Sequence, residues 1–269
     1  MEIGIGLPAA VPGTAGTAVA DWAAEGERRG FASLAVLDRL VYDNLDPIVA
    51  LAAAAARTER VELMTTILGV PFRQSAAVLA KQLASLDRVS GGRLTAGLAL
   101  GGWPEDYEAS GTPLAGRGAA FEAMLDAMRG FWGDGGEPAL LLGAIAPVGF
   151  RRAAAHGKGW VAPFFGHDML VDGIAATRAA WAEAGRTDRP RIVAARYFCL
   201  GARADEVADE YLEHYYGAGY APARADTLTT RQQLHAELAR LAAAGCDDAL
   251  LFPCSGDVGQ VALLADALD

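Results

Sequence analysis

Short apolar runs alternate with helical runs along the whole chain, and this alternation limits the fold more than any single residue does. The apolar runs cover residues 3–7, 34–37, 61–70, 94–100, 139–142, 160–165, 192–200 and 249–252. Helical spacing fills the gaps over 17–29, 47–58, 75–89, 117–132, 148–156, 168–184, 204–216 and 229–244, and a last helix over 257–268 closes the chain. Asp46 before Pro47 reads as a helix cap and first turn. Residues 104–116 and the stretch from Asp134 to Gly136 read as loops, and residues 217–226 as a short irregular insert before the last strand. Strands joined by helices pair in parallel through right-handed crossovers. Eight such units in 269 residues predict an α/β fold, a (β/α)8 TIM barrel formed by one domain over 1–269, since such barrels take about 250 residues. An open doubly wound sheet needs a GxGxxG turn after its first strand. The chain reads LPAAVPGTAG there, which lacks that spacing.

Composition narrows the function by exclusion. The net charge of −10, without a Lys/Arg cluster, argues against nucleic acid or an anionic membrane as a partner. Cys199, Cys246 and Cys254 are too scattered for a disulfide framework or a metal knuckle, and a reducing cytoplasm fits them. The start, MEIGIGLPAA, is a poor signal peptide, and the Ala-rich run 49–56 is far too short to span a membrane.

A barrel of this kind places its active site at the C-terminal strand ends. Here those ends are Leu7-Pro8, Asp38-Arg39, residues 65–70, Gly101 to Trp103, Gly143-Ala144, residues 164–167, residues 199–201 and Pro253-Cys254. This rim has few carboxylates, no histidine cluster and no Ser-His pair close in sequence, so neither metal hydrolysis nor triad chemistry is expected. Its glycines, threonines and aromatics suit a flat, largely apolar cofactor that brings its own chemistry. Asp38 reads either as a catalytic acid–base group that orients cofactor or substrate or as a loop cap. Arg39 reads as a carboxylate partner or a pocket residue. His167 is the best placed of the four histidines to act as a base. Trp103 and Tyr107 read as pocket lining or loop anchors.

The chain resembles the bacterial-luciferase-like family of flavin- and deazaflavin-dependent oxidoreductases. The resemblance rests on an ordered set of motifs: Thr65-Thr66-Ile67, Pro71, Ala80-Lys81, Asp87 to Arg93, and Gly97, Ala99, Gly101 and Trp103. It continues through Gly111, Arg117, Glu122, Leu141-Leu142-Gly143, Arg151 to Ala154, Gly159-Trp160, and Ala244 to Pro253. It implies a barrel that binds reduced FMN, supplied by a separate reductase, and uses oxygen on a small organic substrate. The alternatives it leaves are the 8-hydroxy-5-deazaflavin coenzyme F420 with hydride transfer, and a non-catalytic flavin-binding barrel subunit. A homodimer is the expected assembly. The resemblance also implies a bulged third strand with a cis peptide at Thr66-Ile67 behind the flavin ring. Leu7, Thr65, Thr66 and Ile67 would line the cofactor, and Ala99, Leu100 and Gly101 would lie against its ring. Gly143, Ala144, Ile145 and Ala146 would offer backbone amides to its phosphate. The family departs at two places: Arg39 stands where the luciferase has a catalytic His, and Leu100 where it has a phosphate-binding Arg. Arg73 or Arg196 would have to supply the missing cation.

Overall fold

Strands β1 (Glu2–Gly6), β2 (Ser33–Val36), β3 (Glu62–Gly69), β4 (Leu94–Ala99), β5 (Ala139–Gly143), β6 (Gly159–Val161), β7 (Arg191–Phe198) and β8 (Asp248–Pro253) pair in sequence order, all parallel. In the computed structural model β8 also pairs back onto β1, with Ile3 opposite Ala249, so the sheet closes into a barrel and the open alternative is excluded. The structure describes residues 1–133 and 136–269; the first two residues of the loop expected at Asp134 lie outside them.

The helices are α1 (Ala18–Arg28), α2 (Pro47–Ala55), α3 (Ala76–Val89), α4 (Pro104–Ser110), α5 (Arg117–Trp132), α6 (Pro147–His156), α7 (His167–Glu183), α8 (Ala204–Tyr216), α9 (Ala221–Ala225), α10 (Arg231–Ala244) and α11 (Gly259–Leu268). Their ends follow local chemistry. Asp46 accepts from the Ile48 and Val49 amides at the start of α2, and Thr230 and Gln233 form a reciprocal capping box at the start of α10. The expected loop after Trp103 is instead helix α4. Its signals are Pro104 in the first turn, Glu105 and Asp106 beside it, and a left-handed Gly111 at its end.

Strand alternation divides the core in two. Ile5, Leu34, Leu63, Leu98 and Leu142 face the helices, whereas Ala35, Met64, Leu141, Val193 and Leu250 fill the barrel. At the N-terminal end of the bore, Arg191 pairs with Glu62 at 2.8 Å and with Asp248 at 2.6 Å, tying β7 to β3 and β8. Burial pushes the Glu62 carboxyl up, but its bonds from Arg191 and Thr95 outweigh burial and hold it below its usual 4.5. A carboxylate lowered by folding adds stability that is full above its unfolded value and fades as pH falls through the folded one. Unfolding temperature is therefore expected to drop below about pH 4.5, with Glu62→Gln showing a shallower drop in a thermal melt series from pH 7 to 3. An unchanged slope in the variant would count against this role.

The segment between β7 and β8 is more ordered than expected. One face of α8 buries Ala204, Ala208, Tyr211, Leu212 and Tyr215. Those residues do not pack as an outer barrel helix would. Tyr215 meets Tyr42 from the β2 loop at 4.8 Å and Trp103 from the β4 loop at 5.9 Å, and Tyr216 meets Phe165 from the β6 loop at 6.0 Å. All three partners lie beyond C-terminal strand ends, so α8 lies across the mouth of the barrel. Arg224 of α9 pairs with Asp209 and Asp205 of α8, and Leu228 bridges back to Phe198. α10 then serves as the outer helix that leads to β8.

Candidate functional site

The mouth is built on a bulge. The pairing of β3 with β4 shifts register between Thr65 and Leu68, which turns the Thr65 and Thr66 carbonyls over the neighbouring strand at Gly97. A Cβ at Gly97 would stand 2.1 Å from the Thr65 oxygen and 2.4 Å from the Thr66 oxygen, so only glycine fits there. The Thr65 hydroxyl donates to the Gly97 carbonyl at 2.9 Å, while the buried Thr66 hydroxyl has no partner among the described residues. Every peptide bond among the described residues is trans, which corrects the cis bond expected at Thr66-Ile67; the bulge absorbs the extra residue with Gly97 making the room.

Ile67, Ala99 and Gly143 converge on the inner face above this bulge. A Cβ at Gly143 would meet the Ala99 Cβ at 3.1 Å and Ile67 at 3.8 Å. Gly101 adopts φ +78°, where a side chain would also press on Phe72. A cavity of about 210 Å³ opens beside this floor, with Asp38, Ile67, Gly101, Trp103, Tyr197 and Tyr216 among its walls; of the three floor residues only Ile67 lines it.

Asp38 reaches this cavity, but its carboxylate is engaged: it accepts from the Gly69 amide at 2.8 Å and from Arg73 at 2.7 Å. Burial pushes its carboxyl up, opposed by Arg73 and the Gly69 amide. Asp38 thus fixes the end of β3 from the end of β2. Trp103 lines the cavity. Tyr107 anchors instead, its hydroxyl donating to the Leu100 carbonyl. Arg39 lies behind the wall, bound to Asp106 at 2.8 Å and Glu105 at 2.9 Å and stacked 4.0 Å from the Trp103 ring. It is a clamp rather than a lining residue.

Further expectations are corrected by where strands point, where they end and which partners hold the cations. Leu7 and Leu100 pack in the layer between strands and helices, because odd positions of β1 and even positions of β4 face outward. Neither side chain reaches the mouth. His167 does not end the sixth strand, since β6 stops at Val161, and the histidine begins α7 and is not among the cavity walls. Arg196 likewise points outward, to Glu237 of α10 at 2.7 Å. Arg73 is held by Asp38 and by Asp46 at 2.9 Å, so neither arginine is free to hold a phosphate.

The β5–α6 loop has the expected form. Ala146 is the extended cap residue of α6, Ile145 is 75% exposed, and the Ala144 carbonyl accepts from the Trp160 indole at 2.9 Å. The residues present fit a flavin ring: glycines stand where Cβ atoms would intrude, and the orphaned Thr66 hydroxyl faces no protein partner. A phosphate would rest on the backbone amides of residues 144–146. What sequence reasoning missed is the roof, Tyr215 and Tyr216. Its signal was the clustering of Tyr211, Tyr215 and Tyr216 on a helix otherwise rich in acids.

Residues 1–268 match the family described as luciferase-like monooxygenase, and the chain belongs to that family. Among solved structures it is similar to monooxygenase RslO1 from Streptomyces bottropensis, at 20% identity and TM-score 0.81 over 100% of this chain and 98% of that one. An F420-dependent secondary alcohol dehydrogenase bound to an F420-acetone adduct gives 18% and 0.79, covering 99% and 98%. The oxygenating constituent of 3,6-diketocamphane monooxygenase from Pseudomonas putida, in complex with FMN, gives 19% and 0.78, covering 100% and 96%. At these identities the likeness shows the fold, a luciferase-like TIM barrel. An uncharacterized protein of Mycobacterium tuberculosis, Rv0953c, is 30% identical over 174 residues, which is 56% of this chain and 61% of that protein. The matched stretch thus spans less than two thirds of that relative's length. No helix among the described residues is long and apolar enough to cross a membrane.

Proposed function

We propose that the chain is a flavin-dependent oxidoreductase that uses reduced FMN and oxygen on a small organic substrate at the barrel mouth. The observation that carries this reading is the floor of Ile67, Ala99 and Gly143 above the β3 bulge, cleared by Gly97. A bound flavin would supply the redox chemistry. The chain's own residues do the rest. Ile67 and Ala99 hold one face of the ring, and Thr66 offers its hydroxyl to a ring heteroatom. The amides of residues 144–146 receive the phosphate. Trp103, Tyr215 and Tyr216 keep water from the ring. Asp38, through Gly69 and Arg73, keeps the end of β3 in place. On this reading a separate flavin reductase supplies the reduced cofactor, and the chain works as a homodimer without metal.

Hydride transfer with the deazaflavin coenzyme F420 is the second reading, because the same floor accepts any ring of that shape. Anaerobic fluorescence titration with FMN, reduced FMN and the deazaflavin separates the two. Tightest binding of reduced FMN is the expected result. Preference for the deazaflavin moves the assignment to hydride transfer, and failure to bind all three removes the enzyme reading.

A further inference from the structure

The charges at the mouth cancel in place. Asp38 is bound to Arg73, and Asp106 to Arg39 and to the amides of Leu40 and Val41 at 3.2 and 3.0 Å. Both carboxylates line the cavity already satisfied. A charged ligand would therefore lose its water without gaining a counter-ion, which is costly. The remaining walls are mostly aromatic, with Phe72, Trp103, Phe164, Tyr197, Tyr215 and Tyr216, and the rest are Leu37, Ile67 and glycines.

Within these walls one polar feature stands out. The Tyr197 and Tyr216 hydroxyls lie 2.9 Å apart. Each phenol carries one proton. The bond between them uses one, and the other has no acceptor among the described residues. Burial raises Tyr197 well above its usual value and Tyr216 to about 12, so both stay protonated at neutral pH. The pair is a donor waiting for an acceptor in an otherwise apolar space.

Volume sets the scale. A cavity of about 150 Å³ is enough to hold benzene. The cavity here is about 210 Å³. That leaves room for a small aromatic ring and a short substituent beside Ile67, whereas Ala99 and Gly143, where the flavin ring is proposed to rest, lie outside these walls.

We propose that the roof of α8 selects an uncharged, flat aromatic compound bearing one accepting oxygen, such as an aryl ketone, with that oxygen on the Tyr197–Tyr216 pair. This deepens the oxidoreductase reading, on which it rests for the fate of the ligand; the binding itself needs no cofactor. Tyr197 and Tyr216 are then specificity residues, and α8 is the element that carries substrate choice.

The test is calorimetric titration of the full chain with acetophenone, with ethylbenzene, which has the same outline without the oxygen, and with benzoate, which adds a charge. Acetophenone is expected to bind, and benzoate at least tenfold more weakly. In Tyr197→Phe/Tyr216→Phe the affinity ratio of acetophenone to ethylbenzene is expected to fall about tenfold, the value of one hydrogen bond. An unchanged ratio overturns the proposal. So does benzoate binding as tightly as acetophenone, or no acetophenone binding, in the unmodified chain, and these two outcomes depend on no variant. Flavin titration of the same preparation keeps the two claims apart. A chain that binds flavin but not acetophenone loses only this inference, and one that binds acetophenone but no flavin loses the oxidoreductase reading.

Discussion

Gly97→Ala is expected to destabilise the chain by at least about 3 kcal/mol, the upper range for forcing one extra carbon into a packed core. The new Cβ would fall 2.1 Å from one backbone oxygen and 2.4 Å from another, and neither can swing aside as a side chain could. Relief requires undoing the bulge between Thr65 and Leu68, which would also move Ile67 off the floor. For a chain of this size the loss corresponds to roughly 6–12 °C in unfolding temperature. Gly130→Ala is the matched control. Gly130 sits in α5 with nothing among the described residues within 4 Å of an added Cβ, and alanine there should stabilise by about 0.5–1 kcal/mol. Thermal melts of the two variants should therefore move in opposite directions. A Gly97→Ala melt within a degree or two of the parent would show that the bulge is not as described.

Arg39→Ala carries the second large effect. The Arg39 and Asp106 side chains are 4% and 2% exposed. Removing the cation leaves a carboxylate buried with only two backbone amides to hold it. Breaking a buried pair in this way costs about 3–5 kcal/mol. The loss also frees Trp103 from its stack, which opens the cavity wall. Removing both partners should cost clearly less than the sum of the single losses, because the stranded charge is gone. A urea-denaturation cycle over Arg39→Ala, Asp106→Ala and the double variant measures this coupling. Additive losses would show that the two side chains act independently.

These effects also show which parts of the molecule local chemistry could reveal. Strand and helix order was legible because each run carries its own period and its own caps, as at Asp46 and Thr230. The floor proposed for the ring, at Ile67, Ala99 and Gly143, rests on motif order. Side-chain direction was harder to read. Leu7 and Leu100 lie at strand ends but face outward, since one step along a strand reverses the face and the runs are apolar on both sides. The partners of Arg39 and Arg196 were hidden for a different reason, because Asp106 and Glu237 lie 67 and 41 residues away. The pattern of α8 is that of any amphipathic helix. Apart from its clustered tyrosines, nothing local distinguishes a helix outside the barrel from one across its mouth, and that placement decides the roof.

The central claim is that the mouth holds a flavin-type ring on the β3 bulge and the end of β4. A crystal structure of the chain soaked with reduced FMN or the deazaflavin tests it most directly. The account predicts the ring in contact with Ile67, Ala99 and Gly143, its phosphate at the start of α6, and Tyr215 and Tyr216 above it. A ring bound elsewhere, or a mouth that stays closed by α8 with the cofactor at saturating concentration, would contradict it.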